Sequence, residues 1–191
     1  MIYRESIDKD ELADLPLIQF EGKISLVESK EEYLASVKYL SQQSMLGFDT
    51  ETKPAFKKGE YNEVALLQLA TNDHAFLFRL NKIGLGNALK NILENPEIQK
   101  IGVAIRDDIK SLQKLNNFKP GGFVELQDHV KDFGIQDFSL KKISAIVLGA
   151  RISKAQRVTN WEAHDLSEAQ QIYAATDAWV SHRIYKSLNK Q

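Results

Sequence analysis

Cysteine is absent from the 191 residues, so disulfides, thiolate metal sites and cysteine nucleophiles are all excluded. Proline and glycine are scarce, at four and ten, which leaves no long flexible linker. No internal repeat or low-complexity tract is present. No apolar run reaches the ~18 residues that suggest a membrane span. The opening MIYRESIDKDELADL carries acids where a secretory leader carries an apolar stretch, so the expectation is a cytoplasmic protein without a membrane partner. Charge of one sign is also missing, with 25 Lys and Arg against 26 Asp and Glu. A strongly basic balance would have pointed to nucleic acid directly. Its absence leaves that route to a local basic rim, and carboxylates gathered for metal lower the total. There is no GxxxxGK[ST] loop and no GxSxG elbow. His74, His129, His164 and His182 show no metal-ligand spacing.

What remains is an ordinary globular composition, 43% hydrophobic and 27% charged, on a length that suits one domain. Residues 1–19 are acidic and weakly patterned, and are expected to form an arm laid on a core over 20–188. Alternating or β-branched stretches predict strands over 20–28, 45–51, 63–70, 75–80, 98–104 and 123–126. The turn residues Thr71-Asn72-Asp73 make the third and fourth of these a hairpin. Helices are expected after Ser29 to about residue 43, over 86–94, over 106–115, across 140–148 to Gly149, and from the capping residue Ser167 to 188. That order suggests a mixed sheet with helices on its faces.

Three short stretches hold the residues with chemical potential. In GFDTET, Asp49 and Glu51 stand at i and i+2, on one face of a strand. Paired acids repel each other unless a hard cation sits between them. The plain alternative is two solvated acids, although the preceding LGF reads as buried. In IGVAIRDDIKSL, Asp108 falls in the first turn of a helix, where either Asp107 or Asp108 would also complement the helix dipole. In YAATDAW, Tyr173 and Asp177 share a helix face, and the small residues between them let the helix approach another element closely. A core tyrosine with an exposed aspartate is the alternative there.

In chain order these stretches resemble the three motifs of the DEDD exonuclease superfamily in its tyrosine-bearing (DEDDy) branch. That branch includes ribonuclease D, the Werner-type exonuclease domain and the proofreading domains of bacterial family A polymerases. GFDTE is similar to the first motif, GVAIRDDIKSL to the second with Asp108 in the metal-binding place, and YAATDAW to the third. VALLQLA resembles the strand after the first motif, and ISKAQRVTNW, at 152–161, the stretch ahead of the last helix. The resemblance implies an α/β, ribonuclease H-like fold with a mixed central sheet flanked by helices. It implies a 3′–5′ exonuclease acting on single-stranded or 3′-recessed DNA or RNA and releasing nucleoside 5′-monophosphates. It also implies two divalent cations, Mg²⁺ or Mn²⁺, held by Asp49, Glu51, Asp108 and Asp177. Asp49 would bridge both, Glu51 and Asp177 would complete the coordination of the first ion, and Asp108 would hold the second ion through water. Tyr173 would orient the attacking water, since a phenol with a pKa of about 10 is a poor base near neutrality.

Grip on the strand is assigned to Lys53, Phe56, Lys57 and Lys58 in TKPAFKKGE, and to Lys154 and Arg157. The cations would meet phosphates and Phe56 would stack on a base. A solubilising basic loop accounts equally for the lysine run. Trp161 reads as packing. Three other classes remain, the last a purely structural or interaction protein. A binding module that kept the fold has no use for converging carboxylates, and a phosphoesterase of free nucleotides ignores strand length.

Overall fold

The apolar stretches expected as strands meet in one sheet. The computed structural model describes residues 3–57, 59 and 61–190. β1 (Lys23–Val27), β2 (Met45–Thr52), β3 (Val64–Ala70), β4 (His74–Arg79), β5 (Gln99–Gly102) and β6 (Phe123–Glu125) form a six-stranded sheet in the order β1-β4-β3-β2-β5-β6. β3 runs antiparallel to both its neighbours, β2 and β4, while β1 joins β4, β5 joins β2 and β6 joins β5 in parallel. β3 is buried along its whole length because both faces of the sheet are covered there, which is why VALLQLA is almost continuously apolar.

On one face lie α2 (Lys30–Leu40), α4 (Asn87–Glu94) and α5 (Ile105–Leu115), whose Leu40, Leu89, Leu93 and Leu112 pack with Leu46, Phe48 and Leu67 of the strands. On the other lies α8 (Glu168–Leu188), backed by α7 (Leu140–Leu148), with Ala174, Ala178, Val180 and Ile184 against Leu66, Ala70 and Leu77. Ser167 caps α8 as expected, its Oγ accepting from Gln170 N at 3.2 Å while Gln170 Oε1 accepts from Ser167 N. Short helices α1 (Lys9–Asp14), α3 (Leu80–Ile83) and α6 (Leu126–His129), and a 3₁₀ turn at Val130–Phe133, were not expected from the sequence.

Boundaries move for local reasons. The first strand starts at Lys23, because Phe20 turns inward against Trp179 and its N–H donates to Thr176 Oγ1. The helix expected to residue 43 ends at Leu40. The strand expected to reach 104 stops at Gly102, where a side chain would strike Phe48 O at 2.7 Å, and Ala104 already has left-handed backbone. The N-terminal arm is better patterned than its composition suggests: Ile7 and Leu12 bury against Ala145, and Leu17 bridges to Arg151. Among the described residues no helix is long and apolar enough to cross a membrane.

Candidate active site

Asp49 and Glu51 lie on β2 opposite Gln68 and Leu66 of β3, and the register breaks just after Glu51, so the strand leaves the sheet beside its acids. α8 reaches them because nothing stands between helix and strand. A Cβ on Gly47 would lie 1.8 Å from the Ala178 carbonyl oxygen. Only glycine permits that approach, and the fully buried Ala174, Ala175 and Ala178 keep the helix surface low. Asp177 then meets the strand, and Asp49, Glu51 and Asp177 each offer a carboxylate oxygen within 4.8 Å of the others. Tyr173 sits one turn earlier on α8, buried, with its ring 6.0 Å from that of Trp161.

Such crowding opposes ionisation. Burial first, then the charges of Asp177, Glu51 and Asp108, hold Asp49 well above the carboxylate range. Burial, with Asp177 and Asp108, pushes Glu51 up to about 9, against a pull from Arg157. Asp177 rises to about 7 through burial, offset by a hydrogen bond from Tyr173 and by the Lys154 charge. The Tyr173 phenol is itself raised, by burial and then by Asp177 and Glu51, so it stays protonated and acts as a donor. An all-oxygen donor set that resists ionisation when empty of counter-charge suits a hard divalent cation.

A pH signature follows. Glu51 titrates near 4.5 in the unfolded chain and at about 9 in the folded one, so between those values the folded protein holds more protons. Its stabilising share is complete at the acid end and is lost as pH rises through that window. In chelator, Glu51→Gln is expected to flatten the fall of Tm towards alkaline pH, while saturating Mg²⁺ raises wild-type Tm most at high pH. Parallel calorimetric pH profiles for variant and wild type would contradict this.

Asp108 stands apart. Thr50, whose side chain points to the face of β2 opposite Asp49 and Glu51, donates from Oγ1 to Asp108 Oδ1 at 2.6 Å. Asp108 is half-buried, and burial raises it to about 6 against the Thr50 bond. Its neighbour Asp107 is at the surface, paired with Lys110 at 3.0 Å. The fold therefore gathers three of the four acids and sets Asp108 beside them, close enough for its charge to act on Asp49 and Glu51. Thr50 was missed in the sequence, although it sits inside GFDTET, because strand alternation turns it away from its acidic neighbours.

Residues 24–191 match the family model described as 3′–5′ exonuclease. The chain belongs to the 3′–5′ exonuclease family. It is 34% identical over 193 residues to the bifunctional 3′–5′ exonuclease/ATP-dependent helicase WRN of Mus musculus, covering 95% of this chain and 14% of that protein. It is 30% identical over 166 residues to ribonuclease D of Gluconacetobacter diazotrophicus, covering 85% of this chain and 42% of that protein. It thus spans less than half the length of either curated relative. Among solved structures, the Nibbler EXO domain of Aedes aegypti superposes with a TM-score of 0.80 at 28% identity, over 92% of this chain and 91% of that one. The fold is that of the ribonuclease H-like exonuclease domains.

Within this exonuclease-family fold, the stretch ahead of α8 forms one rim of the carboxylate site. Gln170 Nε2 donates to Thr159 Oγ1 at 3.0 Å and to Asn160 O at 3.3 Å, and the fully buried Trp161 packs on Tyr173. Lys154 and Arg157 are exposed on that rim, and their charges act on Asp177 and Glu51. Lys53 follows the end of β2 and pairs with Glu162 at 3.3 Å, joining that strand end to the stretch ahead of α8. Phe56, 84% exposed, and Lys57 lie on the loop after β2, while Lys58 falls outside the described residues.

Proposed function

We propose that this chain removes nucleotides one at a time from the 3′ end of a single-stranded or 3′-recessed nucleic acid, with two divalent cations, Mg²⁺ or Mn²⁺. Residues 20–188 act as the exonuclease core and 1–19 as its arm. The observation that carries this reading is the meeting of Asp49, Glu51 and Asp177 within 4.8 Å, in a chain of this family. Asp49, Glu51 and Asp177 would hold one ion, with Asp49 shared, and Asp108 would hold the other. Bound there, the cations supply charge neutralisation at phosphorus and a water acidic enough to attack near neutral pH. The protein's own groups do the placing. The protonated Tyr173 donates its O–H to Asp177 and cannot take the water's proton at neutral pH; its phenol oxygen accepts the hydrogen bond that orients the water. Lys154 and Arg157 meet the phosphates from the stretch ahead of α8, Lys53, Lys57 and Lys58 of TKPAFKKGE meet them as well, and Phe56 stacks on a base. Cleavage between phosphorus and the 3′ oxygen leaves a nucleoside 5′-monophosphate.

Tyr173→Phe separates orientation from metal binding. It is expected to lower kcat roughly tenfold, the worth of one good hydrogen bond, with KM and the metal requirement unchanged. A shifted metal requirement would place Tyr173 among the ligand supports instead. The test of the reading itself is turnover per 3′ end against strand length in Mg²⁺, on DNA and RNA. Strands of ~10 nucleotides are expected to outpace free nucleotides, because contacts upstream of the scissile bond hold the end in place. Faster turnover of free nucleotides than of strands would overturn it.

A further inference from the structure

Asp108 reaches its place through an unusual turn. Ala104 is the one non-glycine among the described residues with positive φ, at 59°. It precedes α5, and α5 has no side-chain cap from its own N-cap residue. The missing cap comes from another strand. Glu125 ends β6, where it pairs with Gly102 of β5. Its Oε1 accepts from Ala104 N at 2.9 Å and from Gln127 N at 3.1 Å, and its Oε2 accepts from Ile105 N at 2.9 Å. Gly102 makes the turn tight enough for this, since a side chain there would meet Ile105 Cγ2 at 2.5 Å.

We propose that Glu125 is a positioning residue for Asp108: by clamping the Ala104 and Ile105 amides it fixes the first turn of α5, and with it the angle at which Asp108 faces a divalent cation. This rests on the exonuclease reading. The geometry gives Glu125 no direct part in binding, because both its oxygens are engaged with backbone amides. Asp49, Glu51 and Asp177 are set by β2 and α8 and do not depend on it. Loss of the clamp frees Ala104 to leave its left-handed conformation, and the first turn of α5 frays around Asp108. Only the ion that Asp108 holds is then weakened.

The experiment is calorimetric titration of Mn²⁺ into the full chain, as wild type, Glu125→Gln, Asp108→Asn, the double variant, and Glu125→Gln with Ala104→Gly. Wild type is expected to show two binding events. Glu125→Gln should weaken the weaker event roughly 10- to 100-fold, the usual size for a residue that orients a ligand, and spare the tighter one. Asp108→Asn should do the same, and the double variant should lose no more. Ala104→Gly should restore part of the loss, since glycine takes that backbone without strain. Unchanged binding by Glu125→Gln, equal loss of both events, or a single event in wild type would each overturn the proposal. Strand cleavage by wild type, measured in parallel, reads the exonuclease assignment separately, because the titration needs no substrate.

Discussion

Asp49→Ala is expected to lower 3′-end cleavage on the order of 10³-fold or more while leaving the fold intact. Its carboxylate belongs to the cluster in which three acids come within 4.8 Å, and it feels the charges of all three other acids. Removing a shared ligand should cost more than the 10- to 100-fold typical of residues that only orient ligands. Stability should move the other way. Asp49 is held far above its ordinary pKa, so its ionisation opposes folding as pH rises, and the variant escapes that penalty. Tm in chelator at alkaline pH is therefore expected to rise, and the gain of wild type from Mg²⁺ to shrink. Scanning calorimetry beside a cleavage assay reads both. Retention of more than about a tenth of the activity would contradict the role given to Asp49.

Gly47→Ala is the second large effect, and it acts on geometry rather than charge. The new methyl would lie 1.8 Å from the Ala178 carbonyl oxygen and 2.7 Å from its carbon. Both atoms are backbone inside a 21-residue helix, so no rotamer can give way. α8 must move off β2, at about 3 kcal/mol, the upper part of the range for overpacked cores. The same helix carries Tyr173 and Asp177, and a displacement of about 1 Å at reacting groups costs roughly a hundredfold in rate. Denaturant unfolding and turnover should fall together. Ala178→Gly in the same chain should rescue neither, because the clash is with the carbonyl and not the methyl. A Gly47→Ala protein with native stability would show that the helix does not need this contact.

Much of the frame was legible where the signals are local. Ser167 and Gln170 announced the start of α8, Thr71-Asn72-Asp73 announced the β3–β4 hairpin, and VALLQLA announced a strand, though not that both its faces would be covered. The five motif residues were legible through resemblance. Nothing in periodicity says that residue 177 returns to residue 49, and the physical reason, a glycine facing a carbonyl, is visible only in three dimensions. α1 was missed although Asp8 and Glu11 have capping-box spacing, and Glu11 does accept from Asp8 N. Ala104 gave no sign, because alanine does not favour left-handed backbone. The Glu125 clamp joins groups 20 and 21 residues apart.

Buried charges were equally silent. Lys100 carries a charge that ordinarily stays in solvent, yet its Nζ donates to the Ile92 and Asn95 carbonyls at 3.0 and 2.7 Å, at the end of α4. Burial lowers it to about 8. Arg79 is fully buried, paired with Glu28 at 2.9 Å, and it also donates to the Ala163 and His164 carbonyls. It thereby ties the stretch ahead of α8 to the sheet, which helps keep one rim of the site in place.

The central claim is that the carboxylates of β2 and α8 drive metal-dependent removal of nucleotides from a 3′ end. Its most direct test is digestion of one oligonucleotide labelled at the 5′ end in one sample and at the 3′ end in another, with Mg²⁺, with Mn²⁺ or with chelator. The 5′ label is expected to run as a ladder shortening one nucleotide at a time, the 3′ label to appear first as a mononucleotide, and chelator to stop both. A 5′ label released first, internal fragments, or cleavage that persists in chelator would contradict it.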